Sequence, residues 1–150
     1  MIDSGTSARL IGALQESRLA GAELRQFAMQ LLNDLPHYDW SGVYRLEGDM
    51  LVLDEFQGAA TDHTHIPVGR GVCGTAVKEN RNQVIADVRN LENYLACSTQ
   101  TRSEIVVLIR SGEGVVLGQI DIDGHQVGAF DHSDESLLES ISKILADRWR

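Results

Sequence analysis

The sequence predicts an α+β domain: a central antiparallel sheet flanked by N-terminal and C-terminal helices. Three observations predict it. Apolar residues recur at helical spacing at both ends of the chain. Between them lie two pairs of strand-like runs, each pair separated by a short turn. The length of 150 residues, with 43% hydrophobic and 23% charged content, suits a single globular domain with a core of its own. Hairpins in the middle and helices at the ends place helices against an antiparallel sheet.

The first 36 residues read as N-terminal helix. Leu10, Ile11 and Leu14, then Leu24, Phe27, Ala28, Leu31 and Leu32, follow the i, i+3, i+4 spacing of a buried face. The pattern predicts helix from about Thr6 to Leu35, interrupted near Gly21 and ended by Pro36. Residues 37–131 carry the sheet and the loops. "WSGVYRL" and "MLVLDEFQG" flank Glu47-Gly48-Asp49 and read as a hairpin. Residues 57–70 read as loop, Gly71 to Glu79 as a short helix and "QVIAD" as a short strand. Residues 88–103 are polar and irregular apart from the island Tyr94-Leu95-Ala96. "SEIVVLIR" and "VVLGQIDID" then form two strands around Ser111-Gly112-Glu113-Gly114. Residues 132–150 form the C-terminal helix, with a stripe of Leu137, Leu138, Ile141, Ile144 and Leu145. Asp131, Asp134 and Glu135 stand at its positive end, and Arg148 and Arg150 at its negative end. No internal repeat or linker divides the chain.

Charge narrows the partners. Acidic residues outnumber basic ones 22 to 13, for a net charge of −9, with no Lys/Arg cluster. Nucleic acid and anionic membranes are not expected partners. The longest strongly apolar run, Ile105 to Ile109, falls far short of the ~20 residues of a membrane helix. The N-terminus shows no secretory signal. With only two cysteines there is no disulfide framework, and a reducing, cytoplasmic location is expected.

Those cysteines are the first candidates for chemistry. Cys73 lies in "GRGVCGTA", at the start of the short helix. Free N–H groups and the helix dipole stabilise a thiolate there, and Arg70 is close in sequence. The alternative is a small buried residue that merely starts a helix. Cys97 lies in the long polar loop, either as an accessible reactive thiol or as an accidental surface one. On these grounds Cys73 is the more acidic thiol and Cys97 the more mobile.

Glu104, Asp121 and Asp123 are the second group. Asp121 and Asp123 are two apart and share one face of a strand. If their strand pairs with "SEIVVLIR", Glu104 reaches the same end of the sheet. Carboxylates brought together repel, so that one keeps a proton at neutral pH and can serve as a general acid. Together they also suit a substrate ammonium group, while any one alone at a strand end can simply be solvated. "DIDG" is not a calcium loop, because Ile122, Gly124 and His132 occupy the wrong offsets. Trp40 and Tyr44, four apart on a strand, share a face and either pack the core or line a pocket. His63 and His65, with Cys73, offer three scattered metal ligands. No CxxC or HExxH accompanies them, so no metal and no cofactor is expected.

From Trp40 to Asp131 the chain resembles the free methionine-(R)-sulfoxide reductases, small stand-alone GAF-domain enzymes. "DWSGVYRL", "LVLDEFQG", "IPVGRGVCGTAVKENRNQVIADV", "ACSTQTRSEIVV" and "LGQIDID" carry the resemblance. It implies a single GAF domain over residues 1–150 and the reduction of free methionine sulfoxide, with thioredoxin or another thiol as electron donor. Cys97 matches the catalytic cysteine, which becomes a sulfenic acid as methionine leaves. Cys73 falls to a secondary or resolving role. Glu104, Asp121 and Asp123 match pocket carboxylates that bind the ammonium and help protonate the sulfoxide oxygen. Trp40 and Tyr44 match aromatic positions at the S-methyl end. A homodimer paired through the N-terminal helices is also implied. One position departs: His63 stands where three-cysteine members carry the cysteine that resolves the sulfenic acid. Resolution then falls to Cys73 or to an external thiol. The alternative is a non-catalytic GAF module that binds a small ligand or senses redox state.

Overall fold

The computed structural model describes residues 1–92, 94 and 100–150. The N-terminal helical region is two helices, α1 (Ser4–Glu16) and α2 (Gly21–Asn33). Asp3 caps α1 by accepting from the Thr6 N–H at 2.7 Å. Gly21 restarts the chain at φ +59°, a backbone state that glycine enters without strain. The second helix stops at Asn33, ahead of Pro36, so the expected run to Leu35 is shortened at its end.

Among the described residues, six strands form one antiparallel sheet. They are β1 (Trp40–Glu47), β2 (Met50–Gln57), β3 (His65–Pro67), β4 (Gln83–Ile85), β5 (Ser103–Arg110) and β6 (Val116–Gly124), in the order β3-β2-β1-β6-β5-β4. The two predicted hairpins are β1–β2 and β5–β6. The expected loop over 57–70 contains β3, which pairs Ile66 with Leu51. Three residues ending in proline are too few to show an alternation, yet Ile66 is buried there. A nine-residue helix, α3 (Gly71–Glu79), and a 3₁₀ turn (Val88–Asn90) complete the middle of the chain.

The sheet separates two apolar clusters. On one face α1, α2 and the C-terminal helix α4 (His132–Asp147) pack on Val43, Ile105, Val107, Ile109, Ile120 and Ile122. On the other, α3 and the neighbouring segments cover Trp40, Tyr44, Leu51, Val106 and Leu108. A capping box of Asp131 and Asp134 starts α4, as acidic residues at a helix N-terminus should. Arg148 does not serve the end of its own helix. Its guanidinium donates to the carbonyls of Leu14, Gln15, Ser17 and Leu19, and so closes the C-terminus of α1. No helix among the described residues is long and apolar enough to cross a membrane.

Candidate functional site

Register assembles the site. Residues directly opposite in an antiparallel ladder point to the same face. Asp123 stands opposite Trp40 on one side and Glu104 on the other. Asp121 stands between Gly42 and Val106, and Gln119 between Tyr44 and Leu108. These three rows face α3, while the intervening Ile120 and Ile122 face the helical core. The sheet thus brings Glu104, Asp121, Asp123, Trp40 and Tyr44 to one surface. Gly42 is required in the middle row: a Cβ there would lie 2.3 Å from the Trp40 ring, so the indole lies across the glycine.

Helix α3 brings Cys73 to the same surface. Its entry is a tight backbone fold, in which the Gly69 N–H donates to the Gly74 carbonyl at 2.9 Å. A Cβ on Gly74 would come within 2.5 Å of the Pro67 carbonyl oxygen. Gln119, buried in the sheet, donates through Nε2 to the Cys73 carbonyl at 3.0 Å and ties α3 to β6. The Cys73 thiol is buried and lies 3.9 Å from Glu104 Oε2. A carboxyl group therefore sits beside this thiol, on the helix where sequence suggested an activating Arg70. Ile66, Arg70, Gly71, Val72, Cys73, Glu104 and Asp121 line a narrow cavity of ≈ 10 Å³, about the space of one water. A second cavity of ≈ 300 Å³ adjoins it through Gly71 and Val72 and extends to Ile85, Leu91 and Glu92.

The three carboxyls are all buried. Burial, and then the nearby Asp121 and Asp123, push Glu104 well above the ordinary carboxyl range and favour its protonated form. Burial also raises Asp121, opposed by the nearby Glu104 and Cys73 as hydrogen-bond donors. Neither Asp121 oxygen meets a donor at close hydrogen-bonding geometry.

The aromatic pair lies deep, and its polar ends are used locally. Trp40 Nε1 donates to the Ala59 carbonyl at 2.9 Å, and its ring stacks on Phe56 at 5.8 Å. The Tyr44 hydroxyl donates to the His63 carbonyl at 2.8 Å. The two side chains therefore hold the segment between β2 and β3. His63 and His65 do not join Cys73 in a ligand cluster; among the described residues Cys73 gathers with Glu104 and Asp121 instead. Cys97 lies outside the described residues, as do Leu95 and Ala96 of the apolar island.

Sequence reasoning passed over Gln119 and the cavity wall of Ile66 and Val72. Gln119 was within reach, since it precedes Asp121 by two and shares its face. Its tie to α3 depends on tertiary contact that no spacing encodes.

A curled antiparallel sheet with helices on one face and a polar, carboxyl-lined pocket under the other defines a GAF domain, and residues 21–148 match the GAF domain family model. The chain is 40% identical over 110 residues to the free methionine-R-sulfoxide reductase of Saccharomyces cerevisiae, covering 71% of this chain and 61% of that protein. It is 40% identical over 130 residues to the enzyme of that name from Escherichia coli, covering 83% and 77%. A solved type II free methionine-R-sulfoxide reductase from Thermoplasma acidophilum superposes with a TM-score of 0.82 at 38% identity, covering 93% of this chain and 94% of that one. The chain belongs to the free methionine-(R)-sulfoxide reductase family of GAF-domain proteins.

Proposed function

We propose that the protein reduces free L-methionine-(R)-sulfoxide to methionine through a cysteine thiol. The observation that supports this reading best is the buried carboxyl row, in which Glu104 stands opposite Asp123 with Asp121 nearby and is raised well above the ordinary carboxyl range by burial and by both neighbours. An amino-acid sulfoxide needs negative charge for its ammonium and a proton for its leaving oxygen, and this row supplies both. The relatives' names point the same way.

In the proposed reaction the Cys97 thiolate attacks the sulfoxide sulfur. Glu104 donates a proton to the oxygen. The oxygen passes to Cys97 as a sulfenic acid, and methionine leaves with its sulfur reduced by two electrons. Asp121 and Asp123 hold the ammonium, and Trp40 and Tyr44 border the S-methyl end. A second thiol, from Cys73 or an external donor, condenses with the sulfenic acid and releases water. A thioredoxin-type dithiol reduces the resulting disulfide by exchange and is itself oxidised. The working form we propose is a cytoplasmic homodimer.

A single-turnover assay tests the reading. Reduced protein mixed with the free (R)-sulfoxide should release about one methionine per chain, and Cys97→Ser should release essentially none. Mass spectrometry of the spent protein distinguishes a Cys73–Cys97 disulfide from a lone sulfenic acid on Cys97. No methionine from folded, reduced protein would overturn the reductase reading in favour of a ligand-binding GAF module. Normal turnover by Cys97→Ser would overturn the choice of nucleophile.

A further inference from the structure

We propose that Cys73, Glu104 and Asp121 form a binding site for a single zinc-type divalent cation, in the cavity between α3 and the β5–β6 pair. The three side chains offer one sulfur and two carboxylate oxygens, all within 4.8 Å of one another and all buried. Cys73 Sγ and Glu104 Oε2 are 3.9 Å apart. Tetrahedral zinc with ordinary Zn–S and Zn–O bonds spaces a sulfur and an oxygen ligand by ~3.5 Å. Closure by a few tenths of an ångström therefore brings this pair to ligand spacing, and α3 needs no rebuilding to allow it.

A second observation points to a cation. Both Asp121 oxygens are fully buried, line this cavity and meet no donor at close hydrogen-bonding geometry; the donors that act on Asp121, Glu104 and Cys73, are the other two proposed ligands. Gln119 Oε1, two residues away on the same strand face, is likewise buried without a donor. Buried acceptors without donors are uncommon and call for an explanation such as an ion. The region thus has an excess of acceptors that a cation would balance. Its free volume of ≈ 10 Å³ suits one water as the fourth ligand of a three-residue site.

The donor set selects the metal. One thiolate with two carboxylates suits borderline ions such as Zn²⁺ and Cd²⁺, while Mg²⁺ and Ca²⁺ prefer all-oxygen sites. Binding displaces the protons of Cys73 and Glu104 into solvent, and no electron moves. The ion would occupy the carboxyl row that the proposed reaction assigns to the substrate. Metal and sulfoxide would then compete, a consequence that rests on the reductase reading. The binding itself does not.

The test is a titration of untagged, reduced protein with Cd²⁺ alone, followed by the ultraviolet sulfur-to-cadmium charge-transfer band, and with Zn²⁺ alone by calorimetry. One ion per chain is expected. Cys97→Ser should keep the band, whereas Cys73→Ser should lose it. Asp121→Asn should weaken Zn²⁺ binding by more than ~100-fold, beyond the loss of an outer-shell partner. Thermal melts of metal-free protein confirm that each variant is folded. No uptake by the folded parent would overturn the site. So would a band that survives Cys73→Ser and disappears in Cys97→Ser, or unchanged Zn²⁺ affinity in folded Asp121→Asn. No sulfoxide enters these measurements, so their failure would leave the proposed reaction untouched.

Discussion

The two faces of the central sheet are built from the same strands and obey opposite rules. Toward α1, α2 and α4, β5 and β6 present Ile105, Val107, Ile109, Ile120 and Ile122, all essentially inaccessible to solvent. Toward α3 the alternate residues of the same strands are Glu104, Val106, Gln119, Asp121 and Asp123, and they are equally buried. Burial alone therefore does not distinguish core from site here. What distinguishes them is whether the buried groups are carbon or polar groups that need partners. The helical face buries carbon, which gains from leaving water. The α3 face buries carboxyls, which lose by it unless a proton, a donor or a ligand compensates. The difference suggests that the first face supplies the stability that the second spends on its function.

The most severe way to break the comparison is to give one face the chemistry of the other. Ile122→Asp changes a fully buried side chain of the helical face into a carboxylate with no partner. The loss should exceed ~4 kcal/mol, enough to abolish cooperative folding in a domain of ordinary stability. Its strand neighbours Asp121 and Asp123 are tolerated one residue to either side. A cooperative thermal melt close to the parent's would show that the two faces are not distinct in the way described.

Much of this contrast was legible in the sequence. "GQIDIDG" alternates apolar and acidic residues with a period of two, which already assigns Asp121 and Asp123 to one face and Ile120 and Ile122 to the other. The β5–β6 hairpin was readable from its turn, and it carries Glu104 to Asp123 by register. Other features were not readable. The strand β3 is three residues long, too short for periodicity. Arg148 looked like the dipole partner of its own helix, because local spacing cannot reveal that α1 ends beside it. Cys73 looked activated by its position at a helix start. The carboxyl that sits against it is 31 residues away in sequence and reaches it only through the packing of α3 on the sheet.

A milder change sharpens the comparison by relieving the polar face. Glu104 titrates above the ordinary carboxyl value in the folded chain. A group raised in this way contributes stability at pH below its unfolded value and loses it as pH climbs through the folded value. Glu104→Gln keeps the shape and removes that loss. The variant should gain ~1–3 kcal/mol over the parent in alkaline buffer, and the gain should shrink toward about pH 4–5. Denaturant melts across that range read the difference directly. The proposed reduction of methionine sulfoxide should fall in the same variant, because the amide has no acidic proton to give. A pH-independent difference in stability would mean that Glu104 is not the buried acid of the row.

The finest distinction lies between two tyrosines, one serving each face. On the helical face the Tyr38 hydroxyl donates to Asp134 Oδ1 at 2.7 Å, and both residues are buried at the start of α4. On the other face the Tyr44 hydroxyl donates to the His63 carbonyl in the connection between β2 and β3. Tyr38→Phe strips a donor from a carboxylate that water does not reach, so the global melt should fall by ~1–3 kcal/mol. Tyr44→Phe frees a carbonyl in a partly exposed segment, where water can replace the hydroxyl, so the global loss should stay near ~0.5 kcal/mol. Its effect should instead be local: faster hydrogen exchange in the amides of the β2–β3 connection, with the β5–β6 amides unchanged. If the two variants destabilised the chain equally, the segment that Tyr44 holds would be part of the cooperative core. The division into a stability face and a function face would then have to be redrawn to include it.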